Sequence, residues 1–232
     1  MAATVGDEAI LLAEMAPTWV ARYRPLGAQY AIDSGSTVIV MDDGFQNPLI
    51  YKDFSLIVVD GTSGFGNGSI IPAGPLRERV EAGLARAHAV VIVGEDRCGV
   101  RETVVRHVPD MPILTASLRP SSGNPDVAGK TVFAFAGIGR PKKFKETLIA
   151  AGALLEGWGE YPDHFDYLEE DLTEMMAAAY AKNAMVVTTA KDYVRLPKGL
   201  KDRVEVFRVE LVWDEPQRLQ DLILAAFAKR AW

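Results

Sequence analysis

Short apolar runs alternate with stretches of helical period along this chain. Thr37–Met41 (TVIVM), Ser55–Asp60 (SLIVVD) and Ala89–Val93 (AVVIV) are apolar on both faces, the pattern of strands buried in a parallel sheet. Ile113–Leu118 reads as another strand, and a second series follows at Thr131–Ala136, Leu154–Trp158, Ala184–Thr188 and Val204–Leu211. Helical spacing opens at Val5-Gly6-Asp7-Glu8, with Leu11, Met15, Thr18 and Trp19 on one stripe and Pro17 ending or kinking it. Asp7 and Glu8 suit a helix N-terminus electrostatically. Further helices are expected at Leu76–His88, Pro141–Ala151, Leu168–Ala181 and Pro216–Ala228, the last carrying Leu219, Leu222, Ile223 and Phe227 inward. Cys98–Asp110 has no dominant period. Alternating strands and helices predict an α/β class, two α/β/α domains with mostly parallel sheets. Arg119–Gly129, rich in Pro, Gly, Ser and Asn, is the natural linker. It divides the chain into residues 1–120 and 130–232.

The stretch Thr37–Gln46, TVIVMDDGFQ, concentrates the chemistry. A buried strand ending in Asp42 and Asp43 would present carboxylates at the edge where such sheets bind ligands. That is also how a P-loop nucleoside triphosphatase presents its magnesium-binding carboxylate. A solvated Asp-Asp-Gly turn explains the same residues. Gly61–Pro75, GTSGFGNGSIIPAGP, is long enough to be functional or mobile. PLRE, Pro75–Glu78, follows it. Arg77 can fork to phosphate oxygens and Glu78 can ligate a hard cation, or the two can be an ordinary helix-start pair.

A phosphate cradle is harder to find. The nearest string to G-x-x-x-x-G-K-[ST] is Gly123–Thr131, GNPDVAGKT, with one residue too many and a Pro and an Asp inside. It leads into a strand instead of a helix, so it reads as a linker turn. Gly137-Ile-Gly139 follows a strand and precedes a lysine-rich helix start (Lys142, Lys143, Lys145), which suits either phosphate or a plain tight turn. His164 lies in YPDHFDY, Tyr161–Tyr167, a composition fit for stacking on a flat ligand or for a helix entrance with Asp166 and Glu169. Thr188–Asp192, TTAKD, sits at a strand end and is either functional or a cap.

Composition narrows the classes. The 232 residues carry 25 basic against 31 acidic side chains, a net charge of −6 that argues against broad nucleic-acid binding. The single cysteine, Cys98, excludes an internal disulfide and a cysteine-cluster metal site. His88, His107 and His164 lack zinc-ligand spacing. No apolar run approaches the roughly 18–20 residues of a membrane span. A dinucleotide oxidoreductase built on Gly137–Gly139 lacks a suitably placed acidic residue roughly 20 positions onward.

Together these strings resemble the tetraacyldisaccharide 4′-kinase family of Gram-negative bacteria. The resemblance rests on VGDE (Val5–Glu8), DDGFQ (Asp42–Gln46), VVDGTSGFGNGSIIPAGPLRE (Val58–Glu78), FAGIGRPKKF (Phe135–Phe144), YPDH (Tyr161–His164) and TTAKDYVRLP (Thr188–Pro197). It implies an ATP- and Mg2+-dependent kinase phosphorylating the 4′-hydroxyl of a tetraacylated glucosamine disaccharide 1-phosphate for lipid A. Such an enzyme works at the cytoplasmic face of the inner membrane, with two α/β domains closing over the nucleotide. By the resemblance, Asp42 and Asp43 are metal-binding and catalytic carboxylates, Arg77 and Glu78 lie near phosphate and metal, and His164 meets the adenine. Family members carry about a hundred further residues before VGDE, with the Walker A loop and an Asp-x-His element for the catalytic base. The expectation is an incomplete P-loop NTPase-like first domain, inactive by itself. The alternative is a non-catalytic nucleotide- or lipid-binding remnant. Asn47 stands where the family commonly has histidine.

Overall fold

The computed structural model describes residues 5–228. In chain order the elements are α1 (Asp7–Ala13), α2 (Arg24–Asp33), β1 (Leu56–Asp60), α3 (Val80–Leu84), β2 (Ala89–Val93), α4 (Val100–His107), β3 (Ile113–Pro120), β4 (Thr131–Ala136), α5 (Pro141–Ala150), β5 (Leu154–Glu160), α6 (Glu169–Ala181), β6 (Met185–Thr188), α7 (Ala190–Arg195), α8 (Lys198–Lys201), β7 (Glu205–Val206), β8 (Val209–Trp213) and α9 (Pro216–Ala228). They build two four-stranded sheets, ordered β1-β2-β3-β8 and β5-β4-β6-β7. The β1-β2-β3 ladder is parallel, as are β5-β4, β4-β6 and β6-β7. The fold class expected from the alternating pattern is therefore the one found.

The chain divides into two units. Residues up to Arg22 join Pro120–Glu210 in one, and Tyr23–Arg119 join the residues from Leu211 onward in the other. One boundary lies between Arg119 and Pro120. Both chain ends cross over, which the continuous division into 1–120 and 130–232 does not contain.

In the unit built on β1–β3, the central strand β2 is buried over its whole length. Val90 and Ile92 face a cluster with Leu84, Val100, Val104 and Ile113, while Val91 and Val93 pack with Leu114, Ala116 and the partly buried Leu219 and Leu222 of α9. Alternate side chains thus enter opposite layers, which is why AVVIV has no polar position. The other unit repeats the plan on β4. Val132, Ala134 and Ala136 pack with Phe144 and Leu148 of α5. Phe133 and Phe135 pack with Leu172 and Met176 of α6.

Three sequence expectations fail. Thr37–Met41 forms no strand, and Val38 and Val40 are 58% and 92% exposed. A buried parallel strand exists only through its hydrogen-bonded neighbours. Among the described residues β1 ends its sheet and Thr37–Met41 pairs with no strand. The helix expected over Leu76–His88 forms only at Val80–Leu84, because Ile71 and Leu76 are joined by a backbone hydrogen bond of 2.8 Å that keeps PLRE out of helical geometry. The strand expected at Val204–Leu211 splits into β7 and β8, which enter different sheets. None of the described helices is long and apolar enough to cross a membrane.

Candidate functional site

The carboxyl ends of β4 and β6 carry a buried polar network. β4 runs out at Ala136 into Gly137, and β6 ends at Thr188, which Thr189 follows. Thr189 caps α7 by accepting from the Asp192 N–H at 3.1 Å, and its hydroxyl donates to Asp192 Oδ2 at 2.7 Å. Asp192 is fully buried, and its Oδ1 accepts from Gly137 N–H at 3.0 Å and from the Tyr167 hydroxyl at 2.9 Å. Burial, reinforced by Asp192, pushes the Tyr167 hydroxyl far above its ordinary range, so it remains a donor. Gly137 is required here: a Cβ would come within 2.8 Å of both Pro162 O and Tyr167 Oη. The backbone groups of Gly137 are already used inside the protein. The Gly137–Gly139 turn is therefore a tight packing turn, the second of the two readings its sequence allows.

One helical turn beyond Asp192, Arg195 ends α7 with its side chain 2% exposed. It donates to Gly137 O at 3.1 Å through Nη1 and makes a close hydrogen bond to Asp7 Oδ2 through Nη2. Asp7, at the start of α1, has its side chain 5% exposed. Arg195 holds the Asp7 carboxyl below its usual range, His164 adds to this, and burial works in the opposite direction. His164 Nδ1 lies 3.0 Å from Asp7 Oδ2, while the side chain as a whole is 61% exposed. The residue sits at φ 60°, and its N–H donates to Gly137 O at 3.1 Å. Beside it Lys191 donates to Glu8 Oε1 at 2.7 Å and lowers the Glu8 carboxyl.

VGDE, GIG, YPDH and TTAKD thus meet in one place. The sequence reading of Asp7 and Glu8 as helix-start charges misses this, since nothing local signals a partner 188 positions away. The aromatics of YPDHFDY turn inward: Tyr161, Phe165 and Tyr167 pack edge-on or tilted with one another, and Tyr161 and Tyr167 also meet Phe135. That removes the reading of the loop as an aromatic stacking platform. The helix entrance is secured by Asp171, whose Oδ2 accepts from Leu168 N–H at 2.7 Å, in place of the expected Asp166–Glu169 pair. Asp7, Glu8 and His164 have ligand atoms within 4.8 Å of one another. Arg195 and Lys191 already neutralise both carboxylates, so the cluster is a set of ion pairs and not a cation site.

The other sequence candidates lie in the β1–β3 unit. Gln46 links DDGFQ to PLRE: its Nε2 donates to Glu78 Oε1 at 2.8 Å, and its Oε1 lies 3.5 Å from Arg77 Nη1. Arg86 forks onto Glu78 at 2.7 and 2.8 Å and stacks over Phe45 at 5.0 Å. Arg86 first, and Gln46 after it, lower the Glu78 carboxyl. Asp42 and Asp43 are exposed on a turn, with Asp43 at φ 47° and Asp42 O accepting from Arg24 at 2.9 Å. Among the described residues Asp42, Asp43 and Glu78 do not draw together as a three-ligand cluster. Both Glu78 oxygens already accept from cationic or amide donors. As they stand, the three carboxylates are not gathered at one point. Lys130 and Thr131 lead directly into β4, so GNPDVAGKT is a linker turn as its sequence suggested.

Residues 1–228 match the family described as tetraacyldisaccharide-1-P 4′-kinase. A tetraacyldisaccharide 4′-kinase of Paramagnetospirillum magneticum is 51% identical over 220 residues, covering 95% of this chain and 67% of that protein. The corresponding Rhodospirillum rubrum protein is 48% identical, covering 94% and 66%. The chain spans about two thirds of the length of these relatives. The crystal structure of LpxK from Aquifex aeolicus in complex with ATP shares the fold, with TM-score 0.68 and 22% identity over 96% of this chain and 69% of that one. On the family match and these identities, the chain belongs to the tetraacyldisaccharide 4′-kinase family, a family of phosphotransferases.

Proposed function

We propose that this chain supplies the hydroxyl-activating part of an ATP-dependent kinase acting on the 4′-hydroxyl of an acylated glucosamine disaccharide 1-phosphate. The names of the relatives support the substrate, and the ATP complex of the Aquifex aeolicus protein supports the nucleotide. One observation carries the chemistry: a buried, ionised Asp7 beside Nδ1 of an exposed His164, at the ligand edge of a parallel sheet. Asp7 accepts a hydrogen bond from Nδ1–H and orients the ring. Nε2 then takes the proton of the sugar hydroxyl as its oxygen bonds to the γ-phosphorus and ADP leaves. This assigns His164 to proton transfer in preference to an adenine contact, because its inner nitrogen is committed to Asp7. It also puts a base within these residues, where the resemblance looked for one upstream of VGDE.

Arg77, beside Gln46, is the cation we assign to phosphate oxygens. Asp42 and Asp43 remain the exposed acidic pair of that unit. Mg2+ would be held by one or two of Asp42, Asp43 and Glu78 and would neutralise charge on the phosphates. A lipid substrate suits work at a membrane surface, which we assign to the cytoplasmic face of the inner membrane on the family resemblance. The 232 residues contain no G-x-x-x-x-G-K-[ST] string, so transfer by this polypeptide alone is expected to be slow unless another segment supplies the cradle.

The test is phosphate transfer from radiolabelled ATP to the lipid disaccharide, with this sequence carried in a family-length polypeptide. His164→Gln should lower kcat by about 10²–10⁴, the usual worth of a positioned base. Full activity in His164→Gln would refute the assignment. Binding of nucleotide or lipid with no transfer by the family-length protein would favour a non-catalytic binding protein instead.

A further inference from the structure

Arg195 takes no part in the proton transfer above, yet its guanidinium holds the centre of the network. His164 Nδ1 has two neighbours at 3.0 Å, and they are of opposite kinds. Asp7 Oδ2 only accepts, and Arg195 Nη2 only donates. One ring nitrogen cannot serve both. One hydrogen of Arg195 Nη2 goes to Asp7 Oδ2 and one of Nη1 to Gly137 O. A bare Nδ1 would set its lone pair against the Asp7 carboxylate oxygen at 3.0 Å, so Nδ1 carries the hydrogen and gives it to Asp7.

Charge leads to the same residue. A carboxylate alone beside an imidazole favours the imidazolium, which has no lone pair left to accept a proton. A guanidinium 3.0 Å from the same nitrogen opposes that second positive charge. Among the described residues the other charged groups around the ring are Asp163, 3.9 Å from Nε2 and half-exposed, and the mutually neutralised Glu8–Lys191 pair. Asp192 stands behind Arg195 at 3.6 Å and faces the guanidinium.

We propose that Arg195 is a positioning residue that keeps His164 a neutral imidazole with its proton on Nδ1, leaving Nε2 ready to accept. This rests on the reading of His164 as the base. Arg195 acts through Asp7 and His164 and has no contact with the reacting atoms.

The test is ¹⁵N imidazole spectroscopy of the purified chain at neutral pH. Only three histidines are present, and His164→Gln assigns the signal. Wild type should show Nδ1 protonated and Nε2 bare. Arg195→Gln, with its amide spectrum confirming the fold, should show imidazolium as the major form. That variant leaves a buried carboxylate unpaired, so Asp7→Asn and Asp7→Asn/Arg195→Gln repeat the comparison without it. Imidazolium should then appear in the double variant at a pH where Asp7→Asn shows none. The same charge state with and without Arg195 overturns the proposal. A wild-type ring with the proton on Nε2 instead overturns the reading of His164 as the base, so the two failures are distinguishable.

Discussion

Replacing Asp7 by Asn should destabilise the unit built on β4 by about 3 kcal/mol at neutral pH. The carboxylate and the guanidinium of Arg195 are 5% and 2% exposed. Removing one charge of a buried pair costs about 3–5 kcal/mol, because the other is left uncompensated. The amide oxygen of Asn still accepts a hydrogen bond, and Asp192 Oδ1 stands 3.6 Å from the guanidinium, which puts the value at the lower end. Such a loss is a large share of a typical 5–15 kcal/mol stability. Urea unfolding followed by circular dichroism measures it, and amide exchange in β4 and β6 assigns it to this unit. The pH dependence has a definite sign. The Asp7 carboxyl is lowered in the folded protein, chiefly by Arg195. Its contribution is present above the ordinary aspartate value of about 3.9 and is lost as pH falls through the folded value. The gap between wild type and Asp7→Asn should therefore close on acidification below that range. A gap under about 1 kcal/mol at pH 7, or one that does not close in acid, would refute the buried-pair argument.

Gly137→Ala should cost about 1–3 kcal/mol by forcing Pro162 O, Tyr167 and Asp192 apart, read as a fall in urea midpoint; a midpoint equal to wild type would contradict the packing. Glu78→Gln should cost under about 1 kcal/mol, since its partner Arg86 is half-exposed, and a loss above 2 kcal/mol would show that the DDGFQ–PLRE junction is more than a surface contact. Val40→Ser should change stability by no more than about 0.5 kcal/mol because Val40 is 92% exposed. A loss of several kcal/mol would mean that Thr37–Met41 is buried after all. Leu148→Ala, at a fully buried position under β4, should cost about 2–5 kcal/mol by the same unfolding assay.

The sequence alone determined the class of the fold and most of its strands, while the helices Arg24–Asp33, Val100–His107, Ala190–Arg195 and Lys198–Lys201 were not read from it. AVVIV, and TVFAFA after its first residue, have no polar position because both faces of β2 and β4 are covered, and that requirement is written locally. The candidate at His164 was also visible, through its motif. TVIVM shows where local pattern stops: its five residues match a buried strand as well as β2 does, yet burial depends on a neighbour that the pattern cannot name. The partners of the polar site were likewise hidden. Asp7 looks like a helix-start charge until the fold brings it against Arg195 and His164, 188 and 157 positions on. Glu78 looks like a free carboxylate until Arg86 and Gln46 are seen to hold it. Apolar period is set by each segment's own faces, whereas the charge, tautomer and ligand capacity of a polar side chain are set by whichever distant groups the fold brings within about 3 Å of it.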